Sequence, residues 1–168
     1  MKRIGIIDYG VGNLGSLRRA LEQCAEVFVT DEPERLAEAD ALVLPGVGSF
    51  KAGMDGLKVR GLDEAVRAAA ARGVPMLGIC LGAQLLLERG HEFGEHQGLG
   101  IIKGEVTRFP ERLGAKVPAI GWQEVVPSQD FHAKLLFEGL EKPSFYFVHS
   151  YVLEPADISE SVARTTYG

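Results

Sequence analysis

A chain of 168 residues, 46% of them hydrophobic, is long enough for one domain, which at this size buries about 70% of the surface its unfolded chain exposes. Eighteen Lys and Arg against 23 Asp and Glu leave a net charge of −5, which argues against nucleic acid or an anionic membrane as a general partner, since either needs a basic face. Two cysteines, Cys24 and Cys80, make neither a disulfide framework nor a metal-ligand spacing. The expectation is a reduced, cytoplasmic protein with no metal and no cofactor.

The apolar stretch after Met1-Lys2-Arg3 ends at Asp8, too short for a signal peptide or a membrane span. From there strands and helices alternate. Residues 3–8, 26–30, 41–44 and 74–79 read as short, apolar, Ile/Val/Leu-rich strands. Residues 14–24, 33–39, a short piece after Phe50, and 62–72 read as helices between them. Such alternation predicts parallel βαβ units with helices on both faces of the sheet. After Gly98 the pattern is richer in strand, at 99–102, 105–109, 121–126, 145–149 and 162–166. The expected fold is a single α/β domain over 1–168, an open, doubly wound, mostly parallel sheet with a more β-rich second half. In such sheets the ligand site lies beyond the carboxyl ends of the strands, so the loops at 9–13, 45–50, 78–82 and 149–151 should share one crevice.

Cys80 occupies the sharpest junction in the chain. An apolar strand pattern ending at Ile79 passes without a spacer into a helical pattern over 81–89, and Gly78 and Gly82 flank the cysteine at minus two and plus two. A nucleophile elbow has this form, because the strained turn needs small neighbours and must lift the nucleophile clear of the sheet. The positive end of the following helix favours a thiolate over a thiol. Cys24, which follows Leu17 and Leu21 on a helical face without a glycine frame, is expected to be core packing.

Other segments surround that junction. Pro45-Gly46-Val47-Gly48-Ser49-Phe50 is either a glycine-rich turn or a loop whose backbone N–H groups receive an oxyanion. Gln84 lies one turn along the helix from Cys80, where its amide would meet a polar substrate. A different reading competes in the first loop. Gly10-Val11-Gly12-Asn13-Leu14-Gly15, with Asp31 about 20 residues on, is a literal dinucleotide fingerprint, though Asp8 would stand where a pyrophosphate approaches.

Gly78-Ile79-Cys80-Leu81-Gly82-Ala83-Gln84 resembles the nucleophile motif of the class I, triad-type glutamine amidotransferases. Within that family, Asp8-Tyr9-Gly10-x-Gly12-Asn13, the motifs at 45–50 and 117–122, and Tyr146-Phe147-Val148-His149-Ser150-Tyr151 are similar to the glutaminase subunits of imidazole glycerol phosphate synthases. The resemblance implies a flavodoxin-like sheet and a Cys80 that attacks the carboxamide of L-glutamine. It implies an oxyanion hole at Val47, Gly48 and Leu81, with glutamine held by Gly48, Gln84, Ser150 and Tyr151. It also implies a heterodimer with a (β/α)₈-barrel cyclase that takes the ammonia, with Asn13, Trp122, Tyr146 and His149 as contacts.

One departure stands out. The family completes its triad with a His and a Glu two residues later, and none of His91, His96, His132 and His149 is followed so. The first three are expected to be solvated. The resemblance places the triad pair beyond Gly168, about one-sixth of a domain, so a shortened chain with a bare nucleophile is the expectation, and an inactive form that only docks to the cyclase is the alternative.

Overall fold

A computed structural model describes residues 1–109 and 116–167. The first half winds as β1 (Arg3–Ile7), α1 (Leu14–Leu21), β2 (Glu26–Thr30), a 3₁₀ turn at Pro33–Glu38, β3 (Ala41–Leu44), α2 (Phe50–Val59), α3 (Leu62–Ala71), β4 (Met76–Gly78) and α4 (Leu81–Leu85). All four strands are parallel in the order β2-β1-β3-β4, with Ile4 opposite Val27 on one side and Ala41 on the other. The strand order reverses between β1 and β3, as in flavodoxin-like sheets, and opens a crevice at their carboxyl ends.

Alternation along β1 explains why helices must cover both faces. Ile6 and Ile7 point to opposite sides and are both fully buried. Ile6 packs with Val43, Val27 and the Leu14, Leu17 and Leu21 stripe of α1. Ile7 belongs to the larger cluster with Leu57 of α2, Val66 of α3 and Leu81 and Leu85 of α4. The parallel strands fall within one or two residues of their sequence expectation. The piece after Phe50 is longer than expected, at ten residues, and 33–39 forms a 3₁₀ turn instead of an α-helix.

The second half departs further from the pattern. The expected helix over 81–89 stops at Leu85, and β5 (Leu87–Gly90) follows, pairing in parallel with β7 (Ile102–Arg108) and antiparallel with β6 (His96–Gln97). Tertiary pairing overrides the helical propensity of Leu86-Leu87-Glu88-Arg89. The strand expected at 99–102 runs back along α4 instead: the amides of Leu99 and Ile101 donate to the carbonyls of Leu85 and Leu86. Arg67 of α3 pins that segment by donating to the carbonyls of Leu99 (2.9 Å) and Gly98 (3.2 Å) while paired with Asp63.

Beyond it, β8 (Ala119–Glu124), β9 (Val126–Pro127), α5 (Phe131–Leu136), β10 (Ser144–His149), β11 (Tyr151–Pro155) and β12 (Ala163–Arg164) complete the described chain. β8 and β10 form an antiparallel ribbon, β11 adds antiparallel to β7, and β12 pairs with β9. The parallel, doubly wound part is therefore the first half, and in the second half every pair except the parallel β5–β7 is antiparallel. β11 carries no boundary of its own in the sequence, because Tyr151–Pro155 follows β10 after the single residue Ser150.

Three expectations about single residues fail. Cys24 is exposed, because α1 ends at Leu21 and the cysteine sits in the turn beyond, its Sγ 3.3 Å from the Leu21 carbonyl. His91 is half-buried instead of solvated: its Nε2 lies 2.7 Å from a Glu105 oxygen, and Arg89 holds the other oxygen. The hydrogen bond from His91, then the charge of Arg89, keeps the Glu105 carboxyl below its usual range. His96 is also half-buried, and His132 is exposed as expected. Among the described residues no helix is long and apolar enough to cross a membrane.

Leu85 carries the packing of α4 on α2, fully buried against Gly53, where a methyl would stand 2.9 Å from its Cδ1. Leu85→Ala is expected to cost about 2–5 kcal/mol in urea unfolding, the range for an emptied buried leucine site.

Candidate active site

Cys80 joins β4 to α4 with φ 54° and ψ −116°, a left-handed backbone that side chains other than glycine rarely adopt. The neighbours explain how it is held. A methyl on Gly82 would collide with the Leu44 carbonyl oxygen, so the first turn of α4 lies directly on the end of β3. On the other side, a methyl on Gly78 would meet the Ala83 Cα at 2.5 Å. Leu81 and Leu85 then sink into the core, and the turn leaves the Cys80 thiol exposed at the crevice.

α4 is short, and its first turn is tied within itself. The amides of Ala83 and Gln84 both donate to the Cys80 carbonyl, at 3.0 and 3.2 Å, and Gly82 donates to Ile79. Among the described residues the Leu81 amide, next to the thiol, has no acceptor in the chain. It is a donor ready for an incoming oxyanion.

The loop after β3 supplies the facing wall. Pro45 and Gly46 are buried, Val47 and Gly48 are exposed, and Ser49 caps α2 by accepting from the Ala52 amide. Gly48 has φ +106° with open space around its Cα, so the Val47–Gly48 peptide stands unpacked. Tyr9, only 2% exposed, lies beneath this loop and donates from its hydroxyl to the Pro45 carbonyl at 2.6 Å. Burial, and then the nearby charge of Cys80, push the Tyr9 phenol well above its ordinary range.

Val47, Gly48, Cys80, Leu81, Gln84, Ser150 and Tyr151, the nucleophile and the residues assigned from sequence to oxyanion and substrate, all line one cavity of about 380 Å³. Gln84 is half-buried there instead of lost in the core. His149 lines the same cavity; its Nδ1 lies 2.8 Å from the Tyr151 carbonyl, which can only accept, so Nδ1 is the donor of that bond. Tyr146 lines an adjoining, more apolar cavity that also reaches Cys80 and Gln84. Trp122 stands apart from both cavities, 74% exposed, opposite Tyr146 across the β8–β10 ribbon with ring centroids 5.8 Å apart. Asn13 is an N-cap, its side chain accepting from the Ser16 amide at 3.2 Å.

The dinucleotide reading fails on geometry. The Ser16 amide at the start of α1 is already taken by Asn13, and Gly10 donates to the Asp8 carboxylate at 2.9 Å, inside the loop where a pyrophosphate would sit. A methyl on Gly15 would meet nothing within 4 Å, whereas the fingerprint's third glycine serves close helix packing. Among the described residues no group of three or more His, Cys, Asp or Glu is placed to hold a metal ion.

Two site residues escaped the sequence. Glu92 lines the cavity, and one of its oxygens accepts from the Phe50 amide at 2.7 Å. It comes from the turn after β5, twelve positions from Cys80, where no periodicity links them. Tyr9 stood in a motif, but nothing in the sequence showed its ring passing under the loop after β3.

A strained cysteine between parallel strand and helix, with a facing glycine loop and a cavity lined by polar groups, defines an amidotransferase-type thiol site. The family model of glutamine amidotransferase class-I matches residues 5–167, and the chain belongs to that family. The chain is 51% identical over 170 residues to imidazole glycerol phosphate synthase subunit HisH of Symbiobacterium thermophilum, covering 100% of this chain and 78% of that relative. It is 45% identical to the HisH subunit of Salinibacter ruber, over 97% of this chain and 77% of the relative. A solved glutamine amidotransferase at 21% identity shares the fold with a TM-score of 0.74, over 96% of this chain and 79% of that one.

A methyl at position 82 has nowhere to go without breaking the contact between α4 and β3. Gly82→Ala should unfold at markedly lower urea than the parent, and its remaining folded fraction should alkylate Cys80 at least tenfold more slowly.

Proposed function

We propose that this chain is the glutaminase subunit of an imidazole glycerol phosphate synthase, acting in the cytoplasm, with residues 1–168 part of one amidotransferase domain. The observation that carries the reading is the left-handed Cys80, whose exposed thiol opens into the cavity shared by Gln84 and the Val47–Gly48 peptide. The Cys80 sulfur attacks the carboxamide carbon of L-glutamine. The carbonyl π pair moves onto oxygen, and the oxyanion is received by the Leu81 amide and a donor from the Val47–Gly48 segment. Each such donor contributes about 10² to 10³ in rate.

Collapse of the tetrahedral intermediate breaks the C–N bond and leaves a glutamyl thioester on Cys80, with the nitrogen leaving as ammonia after gaining the proton that the Cys80 thiol gave up. Water then attacks the thioester, releasing glutamate and restoring the thiol. No His within 1–168 has a Glu two positions later. Ammonia passes to a (β/α)₈-barrel cyclase subunit in histidine biosynthesis, with Asn13, Trp122, Tyr146 and His149 facing that partner. The exposed Trp122–Tyr146 pair supports that surface, since aromatic groups of this kind gain most from burial at an interface.

The cavity also suits the amino-acid end of the substrate. Gln84, Ser150 and Tyr151 offer neutral hydrogen-bonding groups, and the Glu92 carboxylate, committed to Phe50 through one oxygen, has the charge to pair with the α-ammonium group. Glu92→Gln is expected to raise the KM for glutamine about 10- to 100-fold, the loss of a charge-assisted bond of about 1.5–3 kcal/mol, while kcat changes far less. A glutamine-directed electrophile should label Cys80, and Cys80→Ser should abolish the labelling. Equal labelling of Cys24, which stands in a surface turn, would contradict the reading.

A further inference from the structure

We infer that Tyr9 is a positioning residue that fixes the oxyanion loop against the nucleophile elbow through its hydrogen bond to the Pro45 carbonyl. The inference rests on the glutaminase reading for its kinetic consequence, but the geometry is independent of that reading. Tyr9 touches the start of the loop and the middle of the helix into which the loop runs. Its hydroxyl holds the loop's first carbonyl at 2.6 Å, and a methyl on Gly56 of α2, the helix into which the loop runs, would meet the Tyr9 backbone oxygen at 2.7 Å and ring Cδ2 at 3.2 Å.

The elbow meets the same peptide at the same place as the phenol. A methyl on Gly46 would collide with the Tyr9 hydroxyl and stand 3.1 Å from the Leu81 Cβ and 3.3 Å from the Gly82 nitrogen. Gly46 is buried where the phenol hydroxyl and the first turn of α4 converge on its Cα, so the Pro45–Gly46 peptide is packed by both. The orientation of that peptide sets the direction in which the chain leaves β3, and so where the exposed Val47–Gly48 peptide stands relative to Cys80. Donors to an oxyanion act only when their direction is fixed before the charge forms.

A buried tyrosine needs a partner for its hydroxyl, and many find one with no consequence for chemistry. Here the partner is the carbonyl that begins the loop. The phenol also remains protonated through the working pH range, because burial and the nearby Cys80 charge both oppose its ionisation, so the donor is never withdrawn.

Tyr9→Phe removes the hydroxyl and keeps the ring. In the full chain, backbone order parameters of the Val47, Gly48 and Ser49 amides are expected to fall from about 0.85 to below about 0.6, while those of β1 and α4 stay unchanged. With the cyclase bound, kcat for glutamine hydrolysis should drop at least tenfold and KM stay within twofold. Gly46→Ala, which thrusts a methyl into the same contact, should loosen the same amides, and the double variant should lose no more than the worse single one. Unchanged loop order and unchanged kcat in Tyr9→Phe, with only a lower unfolding midpoint, would overturn the inference. Absence of glutamine hydrolysis by the parent chain would count against the glutaminase reading instead, and the order parameters alone would then decide on Tyr9.

Discussion

The contact between Gly82 and the Leu44 carbonyl governs the rest of this site. α4 begins so close to the end of β3 that no Cβ fits between them. That approach forces the chain through a left-handed turn two residues before Gly82, and the residue there is Cys80. A side chain with φ near 54° costs about 1–3 kcal/mol, so it persists only where the surroundings leave no alternative. Here the surroundings are the buried Leu81 and Leu85, which anchor α4 to α2 and leave the thiol as the part of the turn that faces outward.

The parallel sheet makes the contact possible. In the order β2-β1-β3-β4, the loops after β1, β3 and β4 leave from the same edge, so Tyr9, the Pro45–Ser49 loop and the Cys80 elbow arrive together. Each is fixed by the next. Tyr9 holds Pro45, Gly46 lies against Leu81, and Glu92 from the second half closes the other end by accepting from Phe50. The second half supplies little of the hydrophobic frame but much of the cavity wall, through His149, Ser150 and Tyr151 between β10 and β11.

Much of this was legible from residues alone, for physical reasons. β1 to β4 are covered by helices, so their apolar runs are dense and their limits fall near the expected ones. The elbow was legible because glycines at minus two and plus two of a strand-to-helix junction mark a turn too tight for any Cβ on either side of the raised residue. The second half was not, because its elements are fixed by long-range pairing: Leu87–Gly90 looks helical in isolation and becomes a strand only beside β7. Cys24 misled because a helical stripe was continued past the point where α1 ends. Glu92 carries no local signal at all. Its place in the cavity depends on a turn whose path is set by β5 and β6.

The literal Gly-x-Gly-x-x-Gly is the converse case. Its spacing satisfies a dinucleotide pattern, yet Asn13 and Asp8 occupy the amides a phosphate would need. Family membership and the cavity lining favour the proposed thiol chemistry instead. The most direct test is to mix the chain and its cyclase partner with glutamine, quench with acid, and map the adduct by mass spectrometry. A glutamyl thioester on the peptide that carries Cys80 is the predicted result. Glutamate formed with no acyl adduct on Cys80 under single-turnover quenching, or an adduct on Cys24 instead, would contradict the thiol mechanism.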